Sequence, residues 1–533
     1  MRFFISSYGH GYVPYLSVCL SSLVKNHPDD WVDVFIGDTP QHEILLLRTQ
    51  FSRVNFKEVS TSASQYKSST QSIPAKLEHW AKYIKNVPSG EIVAFLDADL
   101  LIYKNIKSSL PSDFDIVYTW KNEKWPLNTG VLIVKASSNV VSFLQEWHQK
   151  TIALISDSKK LKQAIQTSGG GDQHTLLEMM DAVKPNPIPK GSWKKEYEFG
   201  KINFYGASCE ELNQTNSVSL NADSKIFHYK SGMRPVILGD GQFTKARPPE
   251  TSYEIWALWE NTYRQHNKEA LKNLILKSIN KPDLMEVLAQ ENYESRGILN
   301  SEMLAVLTLI NDLDIDLLIE SGRARGQSTY ILAKYLQQSK VEIHSIELTR
   351  DSDALFAEQR LASFENVNLH YGDSHHLISQ ILKSHPNKKV ALLIDGPKGR
   401  NAFRLLSETL TETEQVVVGF IHDLNLLTEG KVNLERCYVD KFFDRVFLTD
   451  DGRYVEATKK IDIQSELQTP YHKGAWYIGS YGPTLGIIFT TVRDRVRAVR
   501  KKSYKYQIKQ VFRNLFGENN YQKIALLKRK IKL

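Results

Sequence analysis

The chain has 533 residues, 41% of them hydrophobic and 24% charged, which is too long for one hydrophobic core and too apolar for disorder, so two folded domains are expected. Its three cysteines, Cys19, Cys209 and Cys437, form no C-x-x-C pair, which excludes a cysteine-based zinc or dithiol centre and fits a reducing compartment. The net charge of +8 is concentrated, because residues 493–533 carry +12 and the rest −4; no signal-peptide core and no run of about 18 apolar residues occurs.

RFFIS at 2–6 reads as a short buried strand, followed by an apolar-periodic helix over 15–24. WVDVFIGD (31–38), a helix over 42–51, VNFKEVS (54–60), a helix over 75–84 and EIVAFLDAD (91–99) continue the alternation. Strands alternating with helices predict a largely parallel α/β sheet that binds ligands at the carboxyl ends of its strands. GVLIVKA (130–136) and KIFHYK (225–230) read as later strands, separated by a helix-rich stretch containing SGGGDQHTLLEMM. Residues 246–312 read as a helical bridge in which Trp256, Leu258, Trp259 and Tyr263 recur at helix spacing as packing residues. A second alternation begins at DIDLLIES (314–321) and runs through a helix over 327–338 and the strands VEIHSIEL, NVNLHYGD, VALLIDGP and VVVGFIHD. The expected organisation is an α/β domain over 1–245, the bridge, a second α/β domain over 313–485 and a basic amphipathic tail over 486–533.

Asp97 and Asp99 stand one residue apart in FLDADLLIYKN, at the end of a strand, which sets both carboxylates on one side. Two hard oxygen ligands hold Mg²⁺ or Mn²⁺ and leave positions for a diphosphate, whose departing charge the metal stabilises. Acidic pairs at strand ends also serve solvation or helix capping, so the surroundings decide. SIPAKLEHWAKYI precedes the pair, and LNTGVLIV, GGGDQHTL and HYKSGMRP follow it in that order. Over about residues 1–240 this ordered set resembles the retaining glycosyltransferases of family 8, the group that includes lipopolysaccharide galactosyltransferases and glycogenin.

The resemblance implies a GT-A fold, a UDP-linked sugar donor, Mn²⁺ or Mg²⁺, and a glycan or lipid-linked glycan acceptor. Carried over by position, it implies Asp97, Asp99 and His228 as metal ligands, Arg234 on the diphosphate, and Lys76 on the diphosphate or donor sugar. It also implies Asn128, with Asp172 and Gln173 as the catalytic pair, along the donor sugar and acceptor, and Ser6, Ser7 and Tyr8 at the nucleotide base. Ser231 stands where the family pattern has glycine, and Arg234 where it has lysine; arginine still binds phosphate, often bidentately.

In the second domain, Glu320, Gly322 and Gly326 follow an apolar strand and open a helix, the geometry of a glycine-containing cofactor loop. The E-x-G-x-x-x-G spacing resembles the first motif of class I S-adenosylmethionine-dependent methyltransferases, over about residues 286–450. That resemblance implies a Rossmann-like domain binding S-adenosylmethionine, with Glu347 on the ribose hydroxyls and Asp373 on the adenine side. In metal-dependent O-methyltransferases comparable carboxylates hold Mg²⁺ and a D-x-x-K lysine acts as base, which implies Asp395, Asp423 and Asn425 as ligands and Lys398 as base. A strand-end aspartate also serves as a plain helix cap.

The whole is expected to be a bifunctional, cytoplasmic glycan-assembly enzyme that adds a hexose and methylates a sugar hydroxyl. One alternative keeps the glycosyltransferase and makes the second domain a non-catalytic binding module. Another, a nucleic-acid-binding protein using the basic tail, lacks a folded basic domain or an RNA-binding motif. The tail is instead expected on an anionic membrane surface: Arg493, Arg497, Arg500 and Lys501 recur at helical spacing, and Val511, Phe512, Leu515 and Phe516 supply apolar contacts.

Overall fold

The structure, a computed structural model, describes residues 1–59, 69–122, 125–183, 186–215, 222–229, 252–294, 297–425, 427–428, 431–462 and 484–499. They divide into two compact units, with the break along the chain between Ala270 and Leu271.

The strands of the first unit are β1 (Arg2–Tyr8), β2 (Trp31–Gly37), β3 (Val54–Glu58), β4 (Ile92–Leu96), β5 (Leu100–Ile102), β6 (Ile116–Trp120), β7 (Leu127–Lys135), β8 (Gly191–Tyr197), β9 (Gly200–Ser208) and β10 (Ile226–His228). Among the described residues, eight of them form one sheet in the order β3-β2-β1-β4-β7-β6-β9-β8, while β5 and β10 form a separate two-stranded ladder. The four strands β1 to β4 are parallel, β7 runs antiparallel to β4 and β6, and β8 runs antiparallel to β9. The sheet is therefore mixed where a largely parallel one was expected. Helices cross between the first strands, but the short links at 121–126 and 198–199 return the chain directly, and short links join antiparallel neighbours.

Both faces of this sheet are covered, which is why β4 is continuously apolar and β1 is apolar through Phe3, Phe4 and Ile5. Alternate residues feed two cores. Phe3 and Ile5 pack with Leu16 and Leu20 of the helix Val13–Asn26, while Phe4 packs with Phe95 and with Trp80 of the helix Ser69–Ile84. The helix Ser138–Ser156 adds Phe143, Leu144 and Trp147 to the second core and is capped by Ser137, whose hydroxyl accepts from Val140 N–H. In the helix Ser252–Ser278, Trp259 and Tyr263 are buried and stacked, with ring centroids 4.7 Å apart, so they pack as expected.

The second unit contains β11 (Leu317–Ser321), β12 (Glu342–Glu347), β13 (Val367–Tyr371), β14 (Val390–Ile394), β15 (Val416–Ile421), β16 (Leu427–Thr428), β17 (Lys431–Val432), β18 (Val446–Leu448) and β19 (Gly486–Ile488). Among the described residues its main sheet has the order β13-β12-β11-β14-β15-β19-β18. The strands β11 to β15 are parallel, and β19 alone runs against its neighbours β15 and β18. The expected start of the tail at 486 thus coincides with a sheet strand whose Ile487 and Ile488 are fully buried. Beyond it, Arg497 pairs with Asp444 at 2.9 Å and Arg493 lies 3.8 Å from the same carboxylate. These two arginines, expected on an anionic surface, are tied to the folded unit; Arg500, Lys501, Val511, Phe512, Leu515 and Phe516 lie outside the described residues. Among the described residues no helix is long and apolar enough to cross a membrane.

Candidate functional site

After β4 ends at Leu96 the chain turns through 97–99 and resumes as β5, whose Leu100 stands opposite His228 in β10. Tyr229 N–H donates to the Asp99 carbonyl at 2.9 Å. This small ladder carries a histidine from 129 positions downstream onto the aspartate pair. His228 Nε2 lies 3.2 Å from Asp99 Oδ1 and 3.9 Å from Asp97 Oδ2.

The tautomer of His228 is set by its other nitrogen. Asn213 Nδ2 donates to Thr119 Oγ1 at 2.9 Å and reaches the Asn128 carbonyl at 3.4 Å, which turns Asn213 Oδ1 towards His228 Nδ1 at 3.0 Å. Nδ1 lies nearest Asn213 Oδ1, which only accepts, and 3.4 Å from Asn128 Nδ2; with the nearer partner Nδ1 carries a proton, and in the neutral ring the Nε2 lone pair faces the two carboxylates. Buried Nε2 makes no hydrogen bond. A lone pair facing two carboxylates is repulsive without a cation between them, and the three donor atoms lie within 4.8 Å of one another, so the set fits a divalent metal. Gly130 makes the approach feasible: a Cβ there would lie 2.4 Å from His228 Cε1 and 3.1 Å from Asp97 Oδ2.

Lys76, from the helix Ser69–Ile84, donates to Asp97 Oδ1 at 2.7 Å. Burial alone would depress its ammonium, but Asp97, Asp172 and Asp99 outweigh burial and raise its pKa above the usual lysine value. Asp172 sits in the first turn of the helix Gly171–Met179, where its Oδ2 accepts from Thr129 Oγ1 at 2.6 Å and its carbonyl accepts from Trp147 Nε1 at 3.0 Å. Gln173 follows it, with an amide nitrogen placed to donate to the carbonyls of Ser168 (2.7 Å) and Leu127 (3.0 Å). Ser6, Ser7 and Tyr8 at the end of β1 form another wall, where Ser7 Oγ is buried without a hydrogen-bond partner and the Tyr8 hydroxyl meets His79 Nδ1. One cleft of about 960 Å³, counting its open mouth, is lined by all of these candidates, including Asn128. Arg234 and Ser231 lie outside the described residues. Sequence reasoning missed Asn213 as the group that fixes His228, because no motif surrounds it.

In the second unit, Glu320 is fully buried and accepts from Ser328 Oγ, Thr329 Oγ1 and Ser345 Oγ at 2.5, 2.5 and 2.6 Å. Burial raises its pKa against these hydrogen bonds. Its carboxylate thus braces the glycine loop from behind. Gly322 has φ +92, and a Cβ there would lie 2.3 Å from Gly396 N, so the loop touches the turn after β14 backbone to backbone. Gly326, φ +76, caps the helix Gln327–Leu336. Glu347 Oε2 accepts from Ala324 N–H at 2.7 Å, and Asp373 caps the helix Ser374–Ser384 by accepting from His375 N–H at 2.7 Å.

A second cleft of about 810 Å³ contains Asp395, Lys398, Asp423 and Asn425 together. His422 joins them although the sequence reading passed it over. Its Nδ1 is 2.9 Å from Asp395 Oδ1, and its Nε2 is 3.3 Å from Glu302 Oε2. Burial would lower its pKa, but the two carboxylates raise it to about 10, while Asp395, despite burial, is pulled down to about 2 by His422 and Lys398. Asn425 Oδ1 accepts from Thr484 N–H at 3.1 Å, and a His422 nitrogen lies within 4.8 Å of ligand oxygens of Asp395 and Asp423. Lys398 lies 2.5 Å from Asp395 and 2.7 Å from Asp423; burial would lower its pKa, but these carboxylates raise it, which holds it as a cation instead of a free base.

No family model matches the chain, and no curated protein does. Among solved structures it is similar to the glycosyltransferase GlyE of Streptococcus pneumoniae TIGR4, at 15% identity and a TM-score of 0.34, over 76% of this chain and 89% of that one. It is also similar to the galactosyltransferase LgtC, solved with donor and acceptor sugar analogues, at 13% identity and a TM-score of 0.32, over 49% of this chain and 95% of that one. A third is a glycosyltransferase involved in glycosylation of the major capsid of PBCV-1, at 11% identity and a TM-score of 0.27, over 44% and 95% of the two chains. At such TM-scores likeness says nothing of what this chain does, and its chemistry is read from the clefts.

Proposed function

We propose that the first unit transfers a sugar from a nucleotide-sugar donor, UDP-linked, to a glycan acceptor, with Mn²⁺ or Mg²⁺ held by Asp97, Asp99 and His228. The observation that carries this reading is the convergence of His228 Nε2, Asp97 and Asp99, with Asn213 Oδ1 behind His228 Nδ1, on the wall of an open cleft. The metal, when bound, supplies charge stabilisation for the departing diphosphate. Lys76 adds a fixed cation beside it and orients Asp97. Ser7 offers a buried hydroxyl with its hydrogen-bonding capacity unspent, suited to the base or ribose. Asp172, held in place by Thr129, and Gln173 position the donor sugar against the acceptor hydroxyl.

A second reading attaches to the second unit, which we assign to S-adenosylmethionine binding and sugar O-methyl transfer. Supporting it are the glycine loop after the central strand β11, the acidic residue ending β12, and the sheet order with one reversed strand, β19. In this reading Lys398 and His422 act as cations that hold Asp395 and Asp423 in position. Residues 500–533, with a net charge of +10, would hold the enzyme at an anionic surface that carries a lipid-linked acceptor.

The test is a panel of sugar nucleotides with Mn²⁺, scored for transfer and for donor hydrolysis by the full chain. Turnover should disappear in excess chelator and fall at least about a hundredfold in Asp99→Asn, as expected when a charge-stabilising metal is lost. Full activity of that variant would remove the metal proposal. Calorimetry with S-adenosylmethionine and its demethylated product tests the second unit separately, and binding of neither would leave it without a catalytic assignment.

A further inference from the structure

Near the amino-terminal ends of its parallel strands, the second unit carries a constellation that neither proposed activity uses. Glu342 and His344 open β12 two residues apart, so their side chains share a face of the sheet. His385 follows the helix Ser374–Ser384, and His370 stands on the neighbouring strand β13. Glu342 Oε1 is 2.7 Å from His344 Nε2, and Glu342 Oε2 is 3.6 Å from His385 Nε2. One ligand atom from each of the three residues falls within 4.8 Å of the others.

The outer nitrogens of both imidazoles are held. His385 Nδ1 lies 2.8 Å from the Ile381 carbonyl, which only accepts, so Nδ1 carries a proton and, in the neutral ring, Nε2 is the nitrogen left to act as a ligand beside Glu342. Asn368 Nδ2 donates to Glu342 Oε1 at 3.3 Å and lies 3.5 Å from His344 Nε2, a contact that a bound ion would displace. His344 Nδ1 lies 2.9 Å from His370 Nε2, and the two rings stack at 5.0 Å. His370 can thus accept from His344 Nδ1–H when His344 Nε2 is used as a ligand. An outer hydrogen-bond partner on each ring is how metal-bound histidines are oriented.

We propose that Glu342, His344 and His385 form a zinc site, oriented by Ile381 and His370. Two imidazoles and one carboxylate suit Zn²⁺ over Mg²⁺ or Ca²⁺, and three protein ligands leave a position for water. The Glu342 and His385 side chains are about a third and a fifth exposed, at 32% and 21%, so the ion can enter from solvent. Bound zinc ties the start of β12 to the carboxyl end of the helix Ser374–Ser384. None of its three ligands lines the second cleft.

The experiment titrates EDTA-stripped full-length protein with Zn²⁺ alone, by calorimetry and by the thermal midpoint, in an Asp99→Asn, His228→Gln background throughout, because the first-cleft set would take the same ion. That background should bind a zinc equivalent that raises the midpoint. Glu342→Gln and His385→Gln should each weaken that uptake at least about a hundredfold, and His370→Ala, which removes only an orienting partner, about tenfold. His42→Gln separates the site from the other group with two histidines and a glutamate, His10, His42 and Glu43, and should leave uptake unchanged. In that background, zinc uptake that survives both Glu342→Gln and His385→Gln overturns the proposal, as does the lack of any zinc equivalent without them. Should either variant fail to fold, zinc-edge X-ray absorption on His42→Gln in the same background, loaded with one equivalent, decides instead. Two imidazoles and a carboxylate support the site, and fewer than two imidazoles overturn it.

Discussion

The metal site proposed for the first unit depends on a residue with no side chain. His228 and Asp97 crowd the space that a Cβ on Gly130 would take; the imidazole is buried beside Asn213, and the Asp97 carboxylate is held by Lys76. Gly130→Ala should therefore displace the imidazole, cost about 1 to 3 kcal/mol of stability as overpacking does, and weaken Mn²⁺ binding at least tenfold. Urea unfolding and metal titration measure the two effects, and unchanged Mn²⁺ affinity would show that the glycine is incidental. At this scale the sequence was informative where side chains carry the chemistry. Asp97, Asp99 and His228 stand in recognisable strings, whereas Asn213 acts through a contact made only in the folded chain. His422 was likewise hidden, because a histidine at the end of a buried strand reads as core until Glu302 and Asp395 are seen at its two nitrogens.

That histidine gives the second unit a pH dependence. Its pKa is raised from 6.5 to about 10 in the folded chain, so the stability it contributes is fully present below about pH 6.5 and is lost as pH rises through about 10. Glu302, Asp395 and Asp423 face it, with Lys398 beyond them. Comparing wild type with His422→Gln isolates this contribution, and the difference in unfolding midpoint should shrink between those two pH values. A difference that stays constant across that range would mean that the imidazole is not held protonated.

Among the elements, the legible ones were those whose pattern is local. The strands β1, β4, β11 and β14 announce themselves as short apolar runs because both faces of each sheet are covered. The hairpin β8–β9 was not read: GSWKKEY alternates half-buried with exposed residues at the edge of the sheet and carries too little apolar character to stand out. KIFHYK was legible as a strand, but its pairing with β5 outside the main sheet was not, because register between distant segments leaves no local trace. The glycine loop after β11 combines both kinds of information. Its spacing is visible in sequence, while its reason, a backbone contact between Gly322 and Gly396 at positive φ, is visible only in the fold. Gly322→Ala should cost about 2 kcal/mol or more, from strain plus the clash with Gly396, and should abolish S-adenosylmethionine binding in calorimetry. An alanine variant of wild-type stability and affinity would contradict this account of the loop.

At the scale of the whole molecule, the charge distribution separates a near-neutral enzyme body from a basic terminal segment. The first arginines of that segment belong to the fold, since Arg493 and Arg497 meet Asp444 and residues 492–499 are helical. Any docking function of the charge therefore rests on residues 500–533, which hold eleven Lys/Arg against Glu518 alone. Each basic side chain near an anionic lipid surface contributes about 1 kcal/mol, so a few simultaneous contacts are enough for reversible binding that weakens with salt. A chain ending at Val499 keeps β19 and the Asp444 ion pairs, which makes it the proper comparison. In vesicle sedimentation the full chain should pellet with anionic vesicles, stay in solution with neutral ones, and be released as salt rises, while the chain ending at Val499 should not pellet at all. Sugar transfer to a soluble acceptor should be the same in both, because every described residue that lines the first cleft is retained. Equal sedimentation of the two chains would take the tail out of membrane recruitment and leave both clefts as they stand.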